Sequence, residues 1–414
     1  MSTDIAPRLE LFRNSSFRRL WGAQFCAMTA LYALNFAAIV AVSEQAPSVT
    51  RTGMVILSSI LPAFLGSLVA GIVVDWGDRV RVLIGSHLMR MLPALVFWLL
   101  VQALSNPLGS LPIYILLGIG AIFTQFATSA ELAMLPQLVR SEHLIPANSI
   151  LQISVLVAEG LGVVVIGPLV SKVAGAGSVG LIGALLNGVA LMLVLPLPAM
   201  RVRTARGSER PNWIVLGEDL RAGWAAIVRD RVLRLVTVQM ALISVLLLML
   251  LSMVPALATF HLGLEVTDVA WLMIPGGLGF GLGALLVSLL GDRFSHLRWI
   301  SGGLMAIGCA IIFMVAFSNG EGISRLFLVG AIVGLGMALA FSLISARTVI
   351  QERPEPAMRG RVIAAQLVLA NALAILPILL GGMIADQLGV RPCMVMLALV
   401  ALGSGAAGWR QIGP

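Results

Sequence analysis

About twelve apolar runs, each long enough to cross a bilayer, constrain this chain more than any other feature. The hydrocarbon core of a membrane is about 30 Å thick, and a helix needs about 20 mostly apolar residues to span it. The runs fall near residues 17–42, 53–74, 82–104, 112–135, 146–171, 177–197, 232–257, 267–290, 299–317, 323–346, 361–385 and 391–409. Only 11% of the 414 residues are charged, and mean hydropathy is +1.01. A soluble domain carries about 25% charged residues, so a water-soluble fold is excluded. In lipid every backbone N–H and C=O must be satisfied internally, and runs of this length do that as helices. The expected fold is an all-α integral membrane protein of twelve transmembrane helices.

Orientation follows from the basic residues. With both termini in the cytoplasm, 23 of the 27 arginines and lysines fall on inside segments and 4 outside. That asymmetry satisfies the positive-inside rule. It also explains the net charge of +8 without nucleic acid. The first span follows Arg8, Arg13, Arg18 and Arg19 with no small-residue cleavage site, so it is read as retained.

Recognisable reaction chemistry is absent from the sequence. Cys26, Cys309 and Cys393 offer neither a disulfide framework nor a CxxC pair. The single lysine, Lys172, sits in SKVAG, so there is no nucleotide-binding loop, and no HExxH occurs. Neither a cofactor nor a metal is expected, and the chain is not read as an enzyme.

A polar, basic segment at 198–231 separates six spans from six. Its stretch Trp213–Val228 reads as an amphipathic helix along the cytoplasmic membrane surface. The two halves also resemble each other at a spacing of about 215 residues. Phe17-Arg18-Arg19-Leu20 with Gln24 matches Val232-Leu233-Arg234-Leu235 with Gln239. The turn from Asp75 to Arg81 matches that from Asp292 to Arg298, and Gly167 and Gly175 fall opposite Gly381 and Gly389. These matches predict two pseudo-symmetric six-helix bundles, residues 1–197 and 232–414, joined by the linker 198–231. Duplicated six-span units are a transporter architecture with substrate bound at midplane.

On these residues the chain resembles the major facilitator superfamily. The stretch Gly71-Ile72-Val73-Val74-Asp75-Trp76-Gly77-Asp78-Arg79-Val80-Arg81 is similar to the family's loop between spans two and three. The opening Leu11-Phe12-Arg13-Asn14 with Phe17-Arg18-Arg19-Leu20-Trp21 resembles the drug and siderophore exporters of that family. Leu135-Pro136-Gln137-Leu138-Val139 and Arg359-Gly360-Arg361-Val362 do so as well. Trp76 stands where a basic residue is usual, and Gly77-Asp78 alters the turn. Glu131 stands where that subgroup commonly has arginine.

The resemblance implies alternating access, with helices one, four, seven and ten lining a cavity. It implies export of a small lipophilic or amphipathic compound from a bacterial inner membrane. A monomer is expected, with lipid, substrate and protons as its partners. A lipid or lysolipid transporter of the same fold, or a non-transporting membrane protein, are the alternatives.

The polar residues supply the candidate sites. Asp75, Arg79, Arg81, Asp292 and Arg298 are candidates for a cytoplasmic gate, with helix caps and topology anchors as the other reading. Glu159 is the one acid in the middle of span five, where a charge is costly. It is read as a proton-coupling or cation-binding acid, or as a neutral acid hydrogen-bonded to a neighbouring helix. Glu131 is a second candidate acid, able to pair with Arg79 or Arg90. Arg90 itself can equally snorkel to the interface. Asn35, Gln125 and Asn371 are candidate cavity residues that interhelical hydrogen bonds also explain.

Overall fold

The computed structural model describes residues 11–45, 48–103, 109–200, 213–317 and 323–411. Both chain ends and linker residues 201–212 lie outside the described residues, and with them the expected placement of the termini. Twelve helical segments are long and apolar enough to cross a membrane, and no strand occurs among the described residues.

The chain divides into two compact units. One comprises residues 1–46 and 55–209, the other residues 47–54 and 210–414. The first contains α1 (Ser15–Gln45), most of α2 (Val49–Trp76), α3 (Arg79–Trp98), α4 (Leu111–Leu138), α5 (Leu144–Gly160), α6 (Gly167–Ala174) and α7 (Ala176–Val194). Between α5 and α6 the backbone continues as a π-helix, Leu161–Ile166. The fifth expected span is therefore one helical rod with a widened middle.

Helix α1 packs on α5 and α7, and α3 packs on α4 and α7. Leu20, Ala23, Ala27, Leu83, Ala127, Ala130, Met134 and Val194 form a core between them. The many alanines keep these helices close. Lipid tails are as apolar as leucine, so dispersion at short range, not water exclusion, holds such contacts together.

The second unit contains α8 (Trp213–Arg229), α9 (Arg231–Leu262), α10 (Val269–Leu290), α11 (His296–Phe317), α12 (Ile323–Glu352), α13 (Arg359–Leu388) and α14 (Val390–Gln411). Helix α12 packs on α10 and α11, and α11 on α14. The α10–α12 contact is made by small residues. A methyl group at Gly283 would come within 2.7 Å of the Met337 carbonyl, and Gly279 faces the backbone of Val333 more closely still. Gly277 and Gly281 lie on the other side of α10 and face open space.

Helix α8 is present in the linker, as its amphipathic pattern predicts, and packs against α9 and α13. Asp219 pairs with Arg361 at 2.8 Å, and Gly223 lets α8 approach the Arg361 backbone.

Local geometry repeats between the units. Asn14 Oδ1 accepts from the N–H groups of Ser16 and Phe17 at the start of α1. Asp230 Oδ1 accepts from those of Val232 and Leu233 at the start of α9. Arg18 donates back to the Phe12 carbonyl, as Arg234 does to that of Val228. Gly175 and Gly389 end their helices at φ 85° and 92°, in a region that suits a residue without Cβ. Side-chain oxygens at these helix starts satisfy N–H groups that would otherwise lack partners.

Two acids tie the second unit together beyond what the sequence suggests. Arg353 Nε lies 3.0 Å from Asp230 Oδ2. Partial burial opposes charge on Asp230. Arg353 and the two N–H groups outweigh it and hold the carboxyl below its usual range. In the same unit, Asp386 of α13 caps the first turn of α2. It accepts from Ser48 Oγ (2.7 Å), Val49 N (2.7 Å), Thr50 N (3.2 Å) and Thr50 Oγ1 (2.7 Å). Gly382, one turn earlier, lets α13 approach this turn. A methyl group there would sit 2.8 Å from Thr50 Cα.

Candidate functional site

Within the first unit, α1, α4 and α5 enclose a cavity of about 260 Å³. Gln24, Met28, Leu31 and Tyr32 face it from α1, at i, i+4, i+7 and i+8. Thr124, Gln125, Thr128, Glu131 and Leu132 face it from α4, and Leu151, Gln152 and Val155 from α5. Each set is one stripe of a helix, as a 3.6-residue repeat requires. A pocket for a drug-sized ligand has about 300–1,000 Å³, so this cavity takes part of such a molecule. Its wall mixes apolar side chains with amides, hydroxyls and one acid.

Glu131 is that acid. It is 2% exposed, and its Oε2 has no hydrogen-bond partner. Gln24 of α1 lies near it on the cavity wall, and Arg90 of α3 is its electrostatic counter-charge. Arg90 is 4% exposed and donates through Nη2 to the Ala27 carbonyl of α1. It does not snorkel to an interface. Its other terminal nitrogen, Nη1, is buried without a partner. Behind it lies a small void of about 20 Å³ shared with Asn187 and Gly183. Arg90 thus stays inside the first unit, near enough to feel the charge of Glu131 but without an ion pair to it within 4 Å. Arg79 turns to the Ala133 carbonyl instead.

Glu159 lies on the same stripe of α5 as Gln152 and Val155, one turn beyond the cavity wall. It is exposed, and Tyr32 of α1 is its polar electrostatic neighbour. Gly162, in the first turn of the π-helix, packs closely on α1. A methyl group there would lie 2.8 Å from Ala33 N, 2.8 Å from Tyr32 Cβ and 2.9 Å from the Thr29 carbonyl. A π-bulge is uncommon and often marks a functional site.

Of the candidate cavity residues, Gln125 lines the cavity. Asn35 does not. It donates to the Leu31 carbonyl and accepts from Ser59 Oγ, an interhelical bond between α1 and α2. Asn371 lies half-buried on α13 in the other unit.

The gate candidates lie at the ends of their helices. Helix α2 runs through to Trp76, so Asp75 is exposed on its last turn and makes no bond among the described residues. The working acid of the turn is Asp78. It is 8% exposed, caps α3 at Val80 N, accepts from Met200 N and lies 3.9 Å from Arg81. In the second half, Arg298 is exposed at the start of α11, and the Asp292 side chain lies outside the described residues.

Gln24 belongs to the repeat shared with Gln239, whereas Tyr32, Thr124 and Thr128 carry no sequence motif of their own. Tyr32 is one of two tyrosines in the chain, and that rarity is the one signal that draws attention to it. Among the described residues no group of three His, Cys, Asp or Glu is placed to hold a metal.

Comparison with known proteins agrees with this architecture. Macrolide efflux protein A of Streptococcus pyogenes is 22% identical over 379 residues, covering 90% of each chain. The nucleoside transporter NupG superposes with a TM-score of 0.70 at 16% identity, covering 96% of this chain and 98% of that one. A bacterial homolog of the human lysosomal transporter Spinster superposes with a TM-score of 0.70, again at 16% identity. It covers 99% of this chain and 97% of that one. At such identities the structural likeness speaks for the fold alone. The family model of the Major Facilitator Superfamily matches residues 20–376, nearly every span described above. With its twelve spanning helices, the chain belongs to the Major Facilitator Superfamily.

Proposed function

We propose that this transporter exports lipophilic, amphipathic compounds bearing a basic group, driven by the proton gradient across a bacterial inner membrane. The observation that carries the reading is Glu131: a buried acid on a cavity wall, with one oxygen unpaired and Arg90 behind it. A buried carboxylate that faces a pocket either binds a cation or takes a proton, because leaving it charged and unpaired is costly. Exchange of one for the other couples the two flows. The Met28, Leu31, Leu132 and Val155 side chains give the pocket apolar surface without fixed shape requirements, which suits varied substrates. The efflux named in the Streptococcus relative supports the outward direction and a bulky lipophilic cargo.

In proteoliposomes, an imposed proton gradient should drive accumulation of a macrolide against its own gradient, and a protonophore should abolish it. Uptake that continues unchanged after the gradient is collapsed would remove proton coupling and favour a facilitator or lipid mover.

A further inference from the structure

We propose that the small void between α1, α3, α4 and α7 is a binding site for one ordered water molecule, which joins Arg90 of α3 to Asn187 of α7. The site is independent of what the transporter carries.

Two unpaired polar side chains share this wall. Arg90 Nη2 donates to the Ala27 carbonyl, and Nη1 is buried with no partner. Asn187 Nδ2 donates to the Gly183 carbonyl at 2.8 Å, and Oδ1 is buried with no partner. Turning the amide over would set its oxygen against that carbonyl, so Oδ1 is the free acceptor. Arg90 and Asn187 are 4% and 3% exposed, and both line the void. One lacks an acceptor and the other lacks a donor. The other side chains of the wall, among them Leu31, Leu34, Pro93 and Leu117, have no polar atom to offer. Polar groups buried without a partner are costly, and charged ones more so.

Size and charge select the ligand. The void holds about 20 Å³. One water needs about 10–15 Å³ and about two to four polar partners. Water accepts from Arg90 Nη1 and donates to Asn187 Oδ1 at once. A cation is repelled by Arg90, and an anion by the Asn187 oxygen. His87, three residues before Arg90 and on the same face of α3, is also fully buried with both ring nitrogens unpaired. Unmatched polar atoms thus gather on this face. The bridge fixes α3 to α7, as the Ala27 bond fixes α3 to α1. The guanidinium whose charge Glu131 feels is thereby held from two sides. Leu31 lines both this void and the larger cavity, so one side chain separates the water from that space.

A cryo-EM map of the transporter in lipid nanodiscs, at a resolution that shows ordered water, tests this. Density for one water within hydrogen-bond distance of both Arg90 Nη1 and Asn187 Oδ1 is expected, and Asn187→Leu should abolish it. An empty void, or an Asn187 amide in direct contact with Arg90, overturns the site. Thermal melting of Gly183→Ala gives a second reading. A methyl group there would meet Ala94 Cβ at 3.7 Å and the Ala30 carbonyl at 3.9 Å, ordinary contacts with two residues of the same wall. Methyl and water are of similar size, so the void holds one of them. Filling a dry void, with the better helix propensity of alanine added, raises the melting temperature. Expelling a bound water lowers it, because Arg90 and Asn187 lose their shared partner. Gly183→Ala should therefore melt at a lower temperature than the wild type. An unchanged or higher melting temperature overturns the bound water.

Discussion

Arg90→Ala should lower the stability of the detergent-solubilised protein by about 1.5–3 kcal/mol, the usual worth of a hydrogen bond made by a charged group. The bond lost is the link from α3 to the Ala27 carbonyl of α1. The charge that Glu131 feels goes with it: Arg90 and Glu131 are both nearly sealed from solvent, and among the described residues no second basic side chain is placed against Glu131. A double-mutant cycle separates these losses. Glu131→Gln alone strands the guanidinium, whereas Arg90→Ala with Glu131→Gln removes both charges. The double variant should be more stable than the sum of the single losses predicts, by about 0.5–3 kcal/mol. Chemical unfolding followed by tryptophan fluorescence reads all four proteins. Strict additivity would mean that the two side chains do not interact.

Gly162→Ala is the second large effect expected. The new methyl group would meet backbone atoms of Thr29 and Ala33, which cannot swing aside as a flexible side chain would. Overpacking of this kind costs about 1–3 kcal/mol. The strain falls where the π-helix meets α1 at Thr29, Tyr32 and Ala33. Melting temperature should therefore drop. By contrast Gly160→Ala, two residues earlier, points into open space and should leave it unchanged. Equal effects from the two substitutions would contradict the close packing at Gly162.

The spans are legible in the sequence because length and hydropathy alone decide them. A helix crossing lipid has no other way to satisfy its backbone. The capping residues are partly legible. Asp230 and Asn14 stand just before an apolar run, where a short polar side chain belongs. The turn after the second span misleads in detail. The acid at the expected place is Asp75, but α2 continues past it to Trp76. Gly77 and Asp78 follow, and the capping acid comes three positions later than Asp75. Nothing in the linear order shows where a helix stops inside a polar turn.

The wiring of the cavity is the least legible part. Glu159 stands out because its neighbours are apolar, and Glu131 because it stands where the resembled subgroup commonly has arginine. That Glu131 and Gln125 face the cavity, and that Arg90 turns inward to the Ala27 carbonyl, depends on the rotation of α3 and α4 about their own axes. Those rotations are set by alanine and glycine contacts. At Gly180, for example, an added methyl group would lie 2.6 Å from the Ala94 carbonyl. Small residues leave almost no periodic hydrophobic signal, so the faces they choose cannot be read from hydropathy. Asn35 illustrates the same limit: its depth suits a cavity residue, but Ser59 on α2 takes up its carbonyl.

Proton release on substrate binding is the decisive measurement. Wild type and Glu131→Gln are purified in unbuffered detergent solution, and a macrolide is added to each while pH is recorded. The macrolide should expel protons from the wild type and none from Glu131→Gln. Binding to the wild type with no proton released, or equal release from both proteins, would contradict the assignment of Glu131 as the site where proton and substrate exchange.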